Sequence, residues 1–129
     1  MVRDDMDLLQ VAQRVTDMDR AVAFYSSLLD ASPIGRFDPP GLAFFALGPV
    51  RLLLDANAPA SLLYLRVDDV SASIERLRDQ GVEIVTEPHV IFSHDDDRLG
   101  PAGTDEWQAF FHDSEGNLVG LVSQVRQMR

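Results

Sequence analysis

The chain contains no cysteine, so disulfide bonds and thiolate chemistry are both excluded. No apolar run approaches the roughly 18 residues that a membrane-spanning helix needs, and we expect no membrane partner. Positive charge is scarce, because 11 Lys and Arg stand against 21 Asp and Glu, for a net charge of −10. Binding to nucleic-acid phosphates needs clustered basic side chains, so a nucleic acid is not expected as a partner. We interpret the acidity as a contribution to solubility.

The first seven residues are acidic and lack the apolar stretch of a secretory signal peptide. We therefore predict a flexible tail over residues 1–7 and a cytoplasmic protein. The rest of the 129 residues, in a chain that is 46% apolar, can form one domain with a buried core. We place that single domain at residues 8–126.

Two segments with the same order of residue types organise this domain. Shifting the first segment by 52 positions pairs Val15 with Val67 and Asp17 with Asp69. Each segment first alternates apolar and polar residues, as a half-buried strand does, although Gln13 interrupts the apolar side of the first. An Asp then stands where it can cap a helix. A repeat that occurs twice predicts a domain of two similar halves.

Further strand signals follow each helix, separated by Gly, Pro and Asp turns, and Gly81 is expected to end the second helix. These strands are predicted over residues 33–37, 43–47 and 50–54 in the first half, and over 82–86 with a continuation through 89–92, then 107–112 and 118–122 in the second. Each half is therefore predicted to be βαβββ, with module one at about 8–56 and module two at about 61–124. The fold class is α+β.

Residues 94–105 have no periodicity and are rich in Gly, Pro and Asp. An irregular stretch of this length is uncommon inside a compact domain and is often a lid or a binding loop. A solvated surface loop is the alternative, and the sequence leaves both open.

The two segments, together with the hairpin sequence at residues 110–117, resemble the vicinal oxygen chelate superfamily. This family includes glyoxalase I, the bleomycin- and fosfomycin-resistance proteins, methylmalonyl-CoA epimerase and the extradiol dioxygenases. The resemblance extends from about Leu8 to Val122, with Ser114 in place of the usual hairpin proline. It implies two βαβββ modules forming an open, cup-shaped eight-stranded mixed sheet, with the helices outside and ligands inside. It also implies a homodimer.

Most activities of that family depend on a divalent metal held by the first and last strands of each module. The resemblance carries these ligand positions onto Gln10, Leu62 and Gly120, and onto a residue near Leu53. Gln10 can offer an amide oxygen, whereas Leu62 and Gly120 offer no donor atom. A divalent cation that lost its hydration water beside a hydrocarbon side chain would gain no new ligand in exchange, so we expect no metal cofactor. A bound divalent metal is the alternative.

Alternation along the strands assigns Trp107, Ala109 and Phe111 to a helix-facing side and the opposite set to the cup. Gly120 is expected to leave room there for a ring or a chain. A mostly apolar surface with a few convergent polar groups suits an organic ligand. The predicted ligand-binding residues are Gln10, Arg14, Leu62, Tyr64, Arg66, Gln108, Phe110, His112 and Gly120.

Plainer interpretations accompany these assignments. Gln10 can hydrogen-bond a neighbouring strand or a water, and Arg66 can pair with Asp68 or Asp69. Tyr64 and Phe110 can serve only to fill the cup.

The leading prediction is a metal-free protein that binds a small, partly apolar or aromatic ligand, as the bleomycin-resistance proteins do when they sequester drugs. The first alternative is a lyase or isomerase of the glyoxalase or epimerase type, with His112 and Glu106 as catalytic candidates, or with His89, His94 and Glu106. The two latter histidines and Asp95–Asp97 also permit a metal site, although such acidic runs are usually solvated. A non-catalytic module with a dimer interface is the third possibility.

Overall fold

The computed structural model describes residues 8–128, so the predicted tail at residues 1–7 lies outside the described residues. Each half of the chain has the order strand, helix and three further strands, which confirms the predicted α+β class and the βαβββ repeat. The chain divides into two units, Met1–Ser61 and Leu62–Arg129, which we call module one and module two. Across residues 8–128, no helix combines the length and apolar character needed to cross a membrane.

Module one contains a four-stranded sheet in the order β1-β4-β3-β2. Strand β1 runs parallel to β4, and the other neighbouring strands are antiparallel. The bounds are β1 Gln10–Arg14, α1 Met18–Leu29, β2 Gly35–Phe37, β3 Leu42–Leu47 and β4 Val50–Asp55. The eight strands found in residues 8–128 are thus divided between this sheet and a second four-stranded sheet in module two.

Helix α1 begins at Asp17, as predicted, because the Asp17 carboxylate accepts a hydrogen bond from the Arg20 N–H at 3.1 Å. It ends at Asp30, whose φ of 50° places the backbone in the left-handed region. The buried Tyr25 packs against the sheet, with its ring centroid 6.5 Å from that of Phe45. This contact fixes which face of the sheet is covered. The residues buried on that face are Gln13, Ala43, Phe45, Leu52 and Leu54.

Gln13 is the polar member of this buried face, and its side chain is fully inaccessible. Its Oε1 accepts hydrogen bonds from the Ser61 N–H at 3.0 Å and from the Ser61 hydroxyl at 3.2 Å. The same hydroxyl donates to the Ala12 carbonyl at 2.8 Å. Gln13 therefore interrupts the apolar pattern because it ties the end of module one to β1.

Module two contains a four-stranded sheet in the order β5-β8-β7-β6, with β5 parallel to β8 and the other pairs antiparallel. Helix α2 is capped by Asp69, whose carboxylate accepts from the Ala72 N–H at 3.1 Å, and Gly81 follows the helix with φ of 83°. Both features confirm the sequence prediction. The bounds are β5 Leu63–Arg66, α2 Val70–Asp79, β6 Ile84–Ser93, β7 Thr104–His112 and β8 Leu118–Arg126.

Two strands of module two are longer than predicted. Strand β7 already begins at Thr104, so the irregular stretch covers residues 94–103 and not 94–105. Strand β8 continues to Arg126, beyond the predicted end at Val122. Pairing with β7 explains the extension, because Thr104 lies opposite Arg126 in the antiparallel register.

The hairpin between β7 and β8 is organised by a buried carboxylate. Asp113 Oδ1 accepts hydrogen bonds at 2.8 Å from the backbone N–H groups of Glu115 and Asn117. The Asn117 side-chain amide donates to Asp113 Oδ2 at 3.0 Å. Gly116 supplies the positive φ of 81° that the turn requires. These contacts hold the predicted hairpin with Ser114 in the place of proline.

We expect Asp113→Ala to destabilise the protein by about 2 kcal/mol, because it leaves buried backbone donors without an acceptor. Equilibrium unfolding in urea measures the change. Ser114→Ala is the matched control, since the Ser114 hydroxyl contacts only the neighbouring Glu115 side chain. Equal unfolding midpoints for both variants would contradict this account of the hairpin.

Candidate functional site

The sheet of module two has one face covered by α2 and one face turned away from it. Ala109 and Phe111 are fully buried on the helix side, as the alternation predicted. The strand register places Tyr64 beside Gly120 and Gly120 beside Phe110 on the other side. Paired residues in neighbouring strands share a face, so these three residues form one cross-strand row.

Tyr64 and Phe110 form an aromatic pair on this open face. Their ring centroids lie 5.8 Å apart at an interplanar angle of 76°, an edge-to-face contact. A Cβ atom at Gly120 would stand 2.9 Å from both Phe110 Cε2 and Tyr64 Cδ2. The expectation that Gly120 leaves room for a ligand is therefore wrong, because the protein's own rings fill that space. Tyr64 nevertheless stays 53% exposed, so part of the pair is accessible.

The other predicted residues of module two lie around this pair in different settings. Arg66 is exposed and forms no ion pair within residues 8–128, so the alternative of pairing with Asp68 or Asp69 is not found. Leu62 is 45% exposed just before β5. The His112 Nδ1 atom contacts the Glu83 carboxylate. The imidazole of this catalytic candidate therefore already has a carboxylate partner.

Glu106 lies at the centre of a buried polar network. One oxygen accepts from His94 Nε2 at 2.9 Å and from Gln124 Nε2 at 3.2 Å. The other oxygen accepts from Gln108 Nε2 at 3.1 Å. The side chains of His94 and Glu106 are only 2% and 12% exposed. Since both carboxylate oxygens are engaged, the network serves to position these side chains.

The loop at residues 94–103 is fastened to this network. The His94 N–H donates to the Thr104 carbonyl at 2.8 Å, and the Gly103 N–H donates to the His94 carbonyl at 2.9 Å. Gly100 lies directly on the network, because a Cβ there would be 2.7 Å from both His94 Cε1 and Gln124 Nε2. Contacts within module two thus hold the loop against this network.

A cleft of about 480 Å³ borders this loop. The rings of Phe92 and His94 meet at its wall with centroids 4.4 Å apart. The sequence indicated a binding loop here through its lack of periodicity, but not which side chains line the cleft. They are Phe92, Ser93, His94, Asp95, Asp96, Arg98 and Leu99.

The second set of histidine candidates does not assemble into a metal site. His89 is exposed, and its Nδ1 lies 3.0 Å from the Glu87 carbonyl. It pairs with Gln108 across β6 and β7, but within residues 8–128 no hydrogen bond joins its ring to Glu106. Within residues 8–128, no group of three or more His, Asp or Glu side chains is arranged to hold a metal ion. The metal interpretation of His89, His94 and Asp95–Asp97 is therefore not supported.

Module one also presents an open face, opposite α1. Gln10 pairs with Arg51 across β1 and β4, and Arg51 Nε donates to Gln10 Oε1 at 3.0 Å. The Arg51 guanidinium carbon lies 5.6 Å from the centre of the Phe44 ring. Phe37 meets Phe44 edge-to-face with centroids 6.0 Å apart. Sequence reasoning placed Gln10 on this face but missed Arg51, Phe44 and Phe37.

Following the alternation from Gln10 into β4 and β3 would have found these residues. The predicted Arg14 is exposed at the other end of β1, where its cross-strand neighbour is Asp55. The hydrogen bond of Gln10 to a neighbouring strand was the plainer interpretation of that residue, and it is the one observed.

The residues at the family's metal positions do not fit a dication. In module one, the only one of these positions with a possible metal-ligand atom is Gln10, through its Oε1. This oxygen already accepts a hydrogen bond from the Arg51 guanidinium, whose positive charge repels a nearby cation. Leu53 is buried and has no donor atom. In module two, Leu62 has no donor atom and Gly120 is covered by two rings. Divalent metals need several oxygen, nitrogen or sulfur ligands, which these positions do not supply.

Comparison with known proteins gives a family match over most of the chain. The model of the Glyoxalase/Bleomycin resistance protein/Dioxygenase superfamily matches residues 7–121. The cadmium-induced protein CadI of Mycobacterium bovis, and that of Mycobacterium tuberculosis, is 36% identical over an alignment of 94 residues that covers 66% of this chain. The matched part spans 59% of the length of these curated relatives.

Solved structures show the same fold. TnmS3, an antibiotic binding protein from Streptomyces sp. CB03234, matches with a TM-score of 0.66 and 22% identity over 93% of this chain and 97% of that chain. Lactoylglutathione lyase from Agrobacterium tumefaciens matches with a TM-score of 0.64 and 20% identity, over 93% and 95% of the two chains. At these identities the matches establish the architecture alone.

We expect Glu106→Ala to destabilise the protein by about 1–3 kcal/mol, because it leaves the buried His94 Nε2 without its acceptor. Amide hydrogen exchange should accelerate at Gly103, whose N–H bonds the His94 carbonyl. Glu87→Ala is the control, since Glu87 forms an exposed ion pair with Arg78, which solvent screens. Unchanged exchange at Gly103 in Glu106→Ala would show that the network does not hold the loop.

Proposed function

Because the chain belongs to the glyoxalase/bleomycin resistance protein/dioxygenase superfamily, we propose that it binds a small, partly aromatic organic ligand without a divalent metal. One observation carries the proposal. Each module has an aromatic pair on the sheet face turned away from its helix, Phe37 with Phe44 in module one and Tyr64 with Phe110 in module two.

The exposure of these rings supports a role in binding. Phe37 and Tyr64 are each 53% exposed, while the aromatic residues on the helix-facing sides, Phe45 and Phe111, are fully buried. A half-exposed ring retains apolar surface that a ligand can cover, and edge-to-face contacts hold it in a defined orientation. Polar groups stand nearby in both modules, with Gln10 in one and Arg66 in the other. This mixture is typical of organic-ligand sites.

The metal-free part of the proposal is supported by the atoms at the family's ligand positions. Three of those positions, Leu53, Leu62 and Gly120, have only hydrocarbon or hydrogen as a side chain. The fourth is Gln10, whose side-chain oxygen already accepts a hydrogen bond from Arg51. Chemistry that requires a metal to polarise an oxygen finds no ligand set there. Binding and sequestration need none, and TnmS3 is an antibiotic binding protein of the same fold.

The alternative of a lyase or isomerase finds less support. A general base must have a free acceptor atom within reach of the proton that it takes. Both oxygens of Glu106 already accept hydrogen bonds from protein side chains. His112 contacts Glu83 through Nδ1 and keeps Nε2 as an acceptor, so the alternative rests on this one atom. The exposed aromatic pairs occur in both modules, and we therefore favour binding. The homodimer and the cytoplasmic location implied earlier stay predictions.

Binding is testable with the neutral probe 2-naphthamide, followed through its fluorescence. We expect saturable binding that Phe37→Ala and Phe44→Ala each weaken at least about tenfold, because each removes ring surface worth roughly 1.5 kcal/mol or more. Val85→Ala is the control. It removes an exposed apolar side chain outside both aromatic pairs and outside the cleft at Phe92, and its affinity should stay within about twofold of the unaltered protein.

Two results would overturn the proposal. One is the absence of saturable binding of 2-naphthamide to the unaltered protein. The other is an equal loss of affinity in Val85→Ala and Phe44→Ala, which would assign the binding to general apolar surface. Circular dichroism and urea unfolding show whether each variant is folded.

A further inference from the structure

We propose that the ligand carries a carboxylate or similar planar anion, and that Arg51 on the open face of module one receives it. This inference rests on the proposed function, because it names the charged group of the ligand. It concerns one row of residues, Gln10, Arg51, Phe44 and Phe37, which we call the guanidinium–aromatic strip.

The strand register places the members of the strip on one face. Gln10 lies opposite Arg51, and Phe44 lies opposite Leu53, two residues further along β4. Phe37 is paired with Leu42, two residues from Phe44 on β3. Because side chains alternate along a strand, all four point away from α1.

Arg51 is oriented but not neutralised. Its Nε donates to the neutral Gln10 amide oxygen at 3.0 Å, and its guanidinium lies over the Phe44 ring. No hydrogen bond or ion pair within residues 8–128 engages its two Nη atoms. These atoms carry four N–H donors, arranged in the fork that a planar carboxylate can accept in pairs.

Arg51, like Arg66 and Arg76, has no carboxylate partner within residues 8–128, although carboxylates are abundant in a chain of net charge −10. Had the guanidinium been needed only for stability, an Asp or Glu on the neighbouring strand could have paired with it. Instead its strand neighbours are Gln10 and Ala46. Other guanidinium groups do have carboxylate partners, namely Arg36 with Asp19 and Asp38, Arg78 with Glu75 and Glu87, and Arg98 with Asp96.

The neighbouring rings indicate what the anion is attached to. Phe44 and Phe37 continue the strip beyond the guanidinium, and the Phe37 side chain is 53% exposed. A flat ligand can place its carboxylate on the Nη atoms and its ring against Phe44. Arg is suited to this combination, because its planar group both stacks on aromatic faces and binds carboxylates through two parallel hydrogen bonds. The ligand class is therefore an aromatic carboxylate.

The test compares 2-naphthoate with 2-naphthamide, which have nearly the same shape and differ in charge. We expect the unaltered protein to bind the carboxylate at least about tenfold more tightly than the amide. Arg51→Gln should remove this preference while leaving the amide affinity within about twofold. Arg51→Lys should restore only part of it, because lysine keeps the charge and loses the fork.

Arg76→Gln is the matched control, since this substitution removes the same charge from an exposed position on α2. Among residues 8–128, the Arg76 side chain donates a hydrogen bond only to the Ser73 hydroxyl. It should retain the full preference for 2-naphthoate. Three outcomes would overturn the inference: equal affinity for both probes in the unaltered protein, an unaltered preference in Arg51→Gln, or an equal loss in Arg76→Gln. In each of them, persisting 2-naphthamide binding leaves the proposed function intact. Failure of both probes to bind would refute both proposals.

Discussion

The packing of one helix against one face of a four-stranded sheet determines the chemistry of each module. Tyr25 of α1 against Phe45, and the buried Ile74 of α2 beside a sheet face that buries Phe111, assign one set of alternating side chains to the core. The opposite set must then face away from the helix. Every group that we consider for binding belongs to that second set. The packing of the apolar core thus determines that the polar and aromatic groups lie on the sheet face opposite the helix.

Within these open faces, neither the charge nor the shape of the residues at the family's metal positions fits a divalent metal. Gly120 cannot gain a side chain without displacing Tyr64 and Phe110, because a Cβ would stand 2.9 Å from each ring. Gln10 shares its oxygen with a guanidinium. A return to metal binding would therefore require coordinated changes at several neighbours. The same neighbours present apolar surface and hydrogen-bond donors, which organic ligands use.

Much of the fold followed from local rules in the sequence. Asp17 and Asp69 cap helices because their side chains accept from the first free N–H groups, and Asp113 and Gly116 form the hairpin. Strand lengths in β7 and β8 were underestimated, since pairing between distant residues sets them. Gln13 was unexplained because its partner, Ser61, is far away in sequence. Long-range contacts have no local signal.

The features of the candidate site that follow from local sequence pattern were predicted, and those that depend on long-range contacts were not. Alternation correctly separated Phe110 from Phe111, yet it said nothing of the rings that close over Gly120 or of the donors that occupy Glu106. Arg51 was missed because its importance comes from contacts with β1 and β3. Residue type and spacing can assign a face, whereas the occupancy of each polar atom depends on tertiary structure.

The central claim is that this protein binds its ligand with side chains alone. The most direct measurement is the metal content of the purified protein, by elemental analysis, in the same sample whose binding of 2-naphthamide is titrated. We predict full binding in protein that holds only substoichiometric zinc, manganese, nickel or iron, and no change after treatment with a chelator. One metal ion per chain, whose removal abolishes binding and whose return restores it, would contradict the account.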